Sequence, residues 1–203
     1  SIVPLQLLKP FRKAHNLTML ILASRSPQRK KILENLDVEF KVVPSAFDES
    51  SVSEKDPVKR AHFLAQKKAE AVAIDHPDTW VIGVDTLVVS ESGELLEKPV
   101  DEEDARRMLQ LHSAHTSTVH SAICLQKEKE AYTNLSTAQV TFKELSEEDI
   151  DWWISTDLWK DRSGAFQIES EGQRLVERLD GELETVVGFP IKSFQEIQQQ
   201  LEI

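Results

Sequence analysis

An α/β fold, a sheet flanked by helices, is what this sequence predicts, and three observations predict it. Short apolar runs with strand character alternate with segments whose apolar residues recur at helical spacing, from Met19 to the end of the chain. Trp80-Val-Ile-Gly-Val-Asp85-Thr-Leu-Val-Val89 is nearly continuous in apolar residues, the pattern of a strand covered on both faces. The 203 residues, 40% of them hydrophobic, suffice for one substantial core or for two small lobes sharing a cleft.

In chain order, Met19-Leu-Ile-Leu-Ala23 reads as a strand, Ser24-Arg-Ser-Pro27 as a polar loop and Gln28 to Leu36 as a helix. Val38 to Val43 alternates as a strand does, and Pro44 to Asp56 is a polar, acidic loop. A long helix follows from Pro57 to about Ile74, then the strand over Trp80 to Val89. The turn Glu91-Ser-Gly-Glu94 leads into Leu95-Leu-Glu-Lys-Pro99 and an amphipathic helix over Asp101 to Leu111, capped by Asp101 or a neighbour. Thr116 to Leu125 and Leu135 to Phe142 read as strands of a hairpin that turns at Lys127-Glu-Lys-Glu130. Ser146-Glu-Glu-Asp149 opens a helix within Glu144 to Ser155, and Trp152, Trp153 and, beyond it, Trp159 read as core anchors, with a base-stacking surface as the alternative. Glycine-containing loops, a strand over Arg174 to Leu179 and a helix over Ile191 to Leu201 complete the chain.

Charge narrows the function classes. Thirty-five acidic and 24 basic residues give a net charge of −11, a field that repels nucleic acid and anionic membrane, and no apolar run approaches the length of a membrane span. The single cysteine, Cys124, lies in an apolar run, so no disulfide framework or thiolate zinc site is expected and a reducing, cytoplasmic location is. His112, His115 and His120 lack metal-ligand spacing and read as packing or surface residues. Ser1 to Thr18 carry no clean apolar stretch ending in a cleavage site. Residues 1–18 therefore read as a vector-derived or upstream-translated leader, ahead of a single domain over residues 19–203.

Three groups of residues point to phosphate chemistry. Ser24-Arg-Ser-Pro-Gln-Arg29-Lys30 stands between a strand and a helix, where hydroxyls, cations and free N–H groups form an anion cradle; an ordinary serine-proline cap is the alternative. Asp48-Glu49 lies in an acidic loop, and Asp85 lies inside the apolar strand, where a carboxylate is costly unless cations or hydrogen bonds offset its desolvation. A hard divalent cation such as Mg²⁺ is commonly held by one or two such carboxylates together with substrate phosphate. Lys68 and Lys98 are point charges that either neutralise phosphate or face solvent.

Taken in order, these segments resemble the Maf family of nucleotide pyrophosphatases. The resemblance is carried by Leu22-Ala-Ser-Arg-Ser-Pro-Gln-Arg29, Phe47-Asp-Glu49, Leu64-Ala-Gln-Lys-Lys-Ala69, Val81-Ile-Gly-Val-Asp-Thr86, Leu96-Glu-Lys-Pro99, Ser163-Gly-Ala-Phe166 and Val186-Val-Gly-Phe-Pro190. It implies an elongated mixed sheet with two lobes around a cleft, similar to the inosine triphosphate pyrophosphatase architecture. It implies hydrolysis of a nucleoside triphosphate to monophosphate and pyrophosphate with Mg²⁺ or Mn²⁺, a house-cleaning activity, and leaves a homodimer open. Carried over by position, Ser24, Ser26, Arg29, Lys68 and Lys98 would hold the triphosphate, while Glu49 and Asp85 would bind metal or activate water.

The base is read from two branches. The branch acting on dTTP and UTP resembles this chain at Thr86. The branch acting on 7-methyl-GTP has a non-arginine after Ser-Pro, as at Gln28, and a glutamate in the later loop, as at Glu169. A carboxylate at Glu169 accepts hydrogen bonds from a guanine-type edge and complements a methylated purine's charge, which favours 7-methyl-GTP. A nucleotide-binding regulator of cell division without turnover is the rival class, and the intact set of Glu49, Lys68, Asp85 and Lys98 weighs against it.

Overall fold

The computed structural model describes residues 19–203, so the expected leader over residues 1–18 lies outside the described residues. Strand β1 (Leu20–Leu22) leads into helix α1 (Pro27–Asn35), which Ser26 caps by accepting from Arg29 N and which Pro27 opens with its preset φ. Strand β2 (Phe40–Val42) and the acidic loop lead to helix α2 (Pro57–Ala73), capped by Asp56 through Lys59 N at 2.9 Å. Next come β3 (Val81–Val89), the short β4 (Leu95–Leu96) and α3 (Glu102–His112), for which Asp101 is the cap. Strands β5 (Thr116–Lys127) and β6 (Glu130–Phe142) form a long hairpin. Helix α4 (Glu147–Ser155) begins in a reciprocal capping box between Ser146 and Asp149. Strand β7 (Val176–Asp180) and helices α5 (Leu183–Val187) and α6 (Ile191–Leu201) end the chain.

These strands make one mixed seven-stranded sheet in the order β2-β1-β3-β5-β6-β7, with β4 also on β3. β1 runs parallel to β2 and β3, and the remaining pairs are antiparallel. The expected α/β class with flanking helices is the one observed. Among the described residues no helix is long and apolar enough to cross a membrane.

Alternation along β3 divides the core. Val81 and Leu87 face α2 with Ala61, Ala65, Ala69, Ala122 and Cys124, and burial pushes the Cys124 thiol up to about 12. Ile82 and Val84 face the other way, into a cluster with Leu33, Phe189 and Phe194. Val88, further along that same face, belongs to a separate cluster built by α3, α4, Phe142, Trp153 and Phe166. Between these two clusters the sheet carries hydroxyls: Thr86 pairs in register with Ser121 and Ser121 with Ser136, and Thr185 Oγ1 lies 2.8 Å from Ser136 Oγ. A polar row thus interrupts one face of the sheet.

Several boundaries differ from the sequence-based expectation. β6 starts at Glu130 rather than Leu135, because its solvent-facing outer half is held by backbone pairing to β5 and not by apolar alternation. β7 starts at Val176, since Ser170–Arg174 is wound into a 3₁₀ turn. The five-residue α5 between Gly181 and Gly188 is too short to show a helical period. Trp153 and Trp159 are core residues as expected, donating to Ala165 O at 2.9 Å and Ile154 O at 3.0 Å. Trp152 is only partly buried, with the Arg174 guanidinium 4.3 Å from its ring centre.

Candidate active site

An interruption in strand pairing places the site. One edge of β3 is filled by β5 along its whole length. The other is filled by β1 only at Val81 and Ile82 and by β4 only at Val88 and Val89, so among the described residues Gly83 to Leu87 has no strand neighbour there. The loop after β1, carrying Ser24 to Ser26, and the loop after β4, carrying Glu97 and Lys98, flank that gap at the carboxyl end of the parallel pair.

Asp85 lies in the gap, 4% exposed. Its Oδ1 accepts from Lys68 Nζ at 2.6 Å, and its Oδ2 is buried with no hydrogen-bond partner among the described residues. Burial raises the pKa of its carboxyl above the ordinary carboxylate value; the charge and hydrogen bond of Lys68 and the charge of Arg29 oppose that rise, while Glu49 adds to it. Lys68 comes from α2, whose Ala65 and Ala69 lie directly over Gly83, and this close approach brings the ammonium to the strand. The same Nζ is 3.0 Å from Glu49 Oε1, so one lysine joins both carboxylates. Asp48, by contrast, caps the 3₁₀ turn Glu49–Ser51, accepting from Ser50 N at 3.0 Å and Ser50 Oγ at 2.7 Å.

Arg29 closes the other side. Its Nε donates to Gly188 O at 2.9 Å, Nη1 to Ser24 Oγ at 3.1 Å and Nη2 to Thr86 Oγ1 at 3.4 Å. Burial lowers its pKa from the ordinary arginine value, against the opposing charges of Asp85 and Glu49; it stays a cation. Thr86 Oγ1 is also 2.9 Å from Ser121 Oγ. Ser26 serves as the α1 cap, the alternative that the sequence left open, and Ser24 receives Ser26 N at 3.2 Å.

The structure therefore brings together two bonded sets, one of Ser24, Arg29 and Thr86 and the other of Glu49, Lys68 and Asp85, which adjoin where Asp85 and Thr86 follow one another on β3. Lys98 is exposed and makes no ion pair among the described residues. Glu169 is partly buried at the start of the Ser170–Arg174 turn; burial raises its pKa, opposed by the charges of Arg162 and of Lys31 on α1. Two contributors were not singled out as site residues from the sequence: the Gly188 carbonyl, in a segment that carries the family resemblance but 159 positions from the Arg29 it holds, and the Ser121 hydroxyl. Among the described residues no group of three or more His, Cys, Asp or Glu side chains is placed to hold a metal.

Comparison with known proteins gives one family. The profile of the family described as Maf-like protein matches residues 19–201. A dTTP/UTP pyrophosphatase of Treponema denticola is 40% identical over 88% of this chain and 94% of its own length. Similar proteins of the same description from Bacillus velezensis and Pyrococcus furiosus are 39% and 38% identical, each over 85% of this chain and 90% of its own length. Among solved structures, the Ham1 protein of Staphylococcus aureus is similar at a TM-score of 0.46 and 15% identity, covering 62% of this chain and 72% of that one.

Proposed function

The chain belongs to the Maf-like protein family, and from that membership we propose that it cuts a nucleoside triphosphate between its α- and β-phosphates. It is a nucleotide pyrophosphatase, a hydrolase of acid anhydrides. The observation that carries the mechanism is the buried Oδ2 of Asp85, without a hydrogen-bond partner among the described residues, beside the two cations Lys68 and Arg29.

In this reading a water oxygen attacks the α-phosphorus, the bond to the bridging oxygen breaks and pyrophosphate departs. Asp85 Oδ2 takes the water's proton, and its raised pKa brings it closer to the operating pH than an ordinary carboxylate. Lys68 fixes Oδ1, so Oδ2 points in one direction, and its third N–H is free for a phosphate oxygen. Arg29, Ser24, Ser26 and the α1 N-terminus hold the phosphates, and Lys98 offsets charge on the leaving group. Glu49 and Asp85 fit a cation of the Mg²⁺ or Mn²⁺ kind, because Asp85 Oδ2 lacks a partner among the described residues and such ions need only one or two protein carboxylates beside phosphate. When bound, the ion supplies Lewis-acid charge to the phosphate oxygens.

Thymine or uracil is the base proposed, supported by the activity after which the relatives are named. Glu169 accepts the single N3–H of that edge, and Lys31 and Arg162 offset repulsion from the adjacent carbonyls. This order of bases reverses the sequence-based expectation. The chemistry of Glu169 favours the second reading, 7-methylguanine, whose N1–H and N2–H₂ both donate to a carboxylate. Product-resolved hydrolysis of dTTP, UTP, 7-methyl-GTP, CTP and GTP with Mg²⁺ decides it. Highest kcat/KM for dTTP and UTP, kept in Glu169→Gln, is the expected result. Highest kcat/KM for 7-methyl-GTP, lost in that variant, establishes the second reading, and no pyrophosphate from any nucleotide overturns the proposal.

A further inference from the structure

Arg60 is a charged residue in the wrong place for a surface helix. It occupies the apolar face of α2, in the row with Leu64, and is only 9% exposed. Its guanidinium reaches off the helix in two directions. Nη1 donates to Val52 O at 2.7 Å and to Glu54 O at 3.4 Å, both in the loop that carries Glu49. Nη2 donates to Glu97 Oε1 at 2.7 Å, in the loop that carries Lys98. Nε is buried with no hydrogen-bond partner among the described residues. The guanidinium makes the two connections from two separate nitrogens in a fixed plane, whereas a lysine would have to draw both loops to one nitrogen.

The connection continues beyond Glu97. Gly164 N donates to Glu97 O at 3.1 Å, Ser163 Oγ donates to Thr86 O at 3.3 Å, and His112 Nε2 is 2.8 Å from Gly164 O. One hydrogen-bonded chain thus runs from the Glu49 turn through Arg60 and Glu97 to the turn beside Thr86 and on to α3.

We infer that Arg60 is a positioning residue that couples the Glu49 loop to the Glu97-Lys98 loop, so that the acidic and basic arms of the site hold one relative geometry. The inference deepens the pyrophosphatase reading and rests on it. Arg60 touches no reacting atom; it acts through Glu49 and Lys98, whose placement matters when phosphate charge develops between them. Glu97 is the safer probe, because its side chain is 56% exposed and its removal leaves no cavity.

The test pairs kinetics with hydrogen exchange in the full chain. Glu97→Ala and Arg60→Met are expected to lower kcat on dTTP or UTP with Mg²⁺ by about ten- to a hundredfold. KM should change less, and Arg60→Lys should not restore the rate. Amides of residues 49–55 are expected to exchange faster in Glu97→Ala, although that substitution lies in the other loop. Unchanged exchange there together with unchanged kcat in Glu97→Ala overturns the inference. Wild-type protein that releases no pyrophosphate, while exchange still rises in Glu97→Ala, would remove the proposed function and leave the coupling of the loops standing.

Discussion

Asp85 holds two opposed influences in one side chain. Burial raises its pKa, and Lys68, through charge and a 2.6 Å hydrogen bond, pulls it back. Because the base form is the deprotonated one, activity falls as pH drops through this raised pKa. Lys68→Met removes the main opposing influence, so the acidic limb of the kcat/KM profile is expected to move to higher pH; an unmoved limb would show that Asp85 is not the group titrating there. Asp85 was legible in the sequence because a carboxylate inside an apolar strand needs a partner. Its partner was a candidate only as one lysine among several, since seventeen positions separate them and helical or strand spacing says nothing about such a contact. Arg60 was legible in principle, as a charge on the apolar face of an amphipathic helix, yet the loops it serves could not be read from that face.

The contact between α2 and β3 sets the distance from Lys68 to Asp85. Gly83 permits it: a Cβ there would collide with Ala65 O and come within 2.7 Å of Ala69 N, both backbone atoms. Gly83→Ala is therefore expected to push α2 off the sheet, costing about 1–3 kcal/mol in chemical denaturation. Activity should fall more than stability, as Lys68 withdraws with the helix; unchanged stability and rate would mean that the helix does not rest on this glycine. Elements with caps were the most legible. Ser26, Asp56, Asp101 and the Ser146–Asp149 box mark helix starts that a side-chain oxygen fixes locally. The outer half of β6 and the short α5 were not, because pairing to β5 and tertiary packing decide them rather than local pattern.

Across the whole molecule, two apolar clusters share one face of the sheet and a hydroxyl row separates them. His112 sits within the cluster that supports the far side of that row, stacked 4.3 Å from Phe142. Gly164 O can only accept, so Nε2 carries the proton and Nδ1 accepts the Ser117 hydroxyl at 2.7 Å; the neutral ring is fully satisfied. Burial lowers its pKa from 6.5 to about 4. A depressed folded pKa means that the unfolded chain binds the proton first, so the contribution of neutral His112 is intact above pH 6.5 and is lost as pH falls towards about 4. The loss approaches about 3 kcal/mol at its limit. Thermal unfolding of wild type against His112→Gln across this range should show a steeper acid decline in wild type; parallel declines would place the sensitivity elsewhere. The two-sided core was foreshadowed by the continuous apolar run of β3, but its division into two clusters depends on which residues of three strands meet in register.

The central claim is that water attacks the α-phosphorus with Asp85 as base. Hydrolysis in water enriched in heavy oxygen, with both products weighed by mass spectrometry, tests it directly. The account predicts the label in the nucleoside monophosphate, none in pyrophosphate, and a rate lowered roughly a hundred- to ten-thousandfold in Asp85→Asn. Label in pyrophosphate, or stepwise release of orthophosphate, would contradict it.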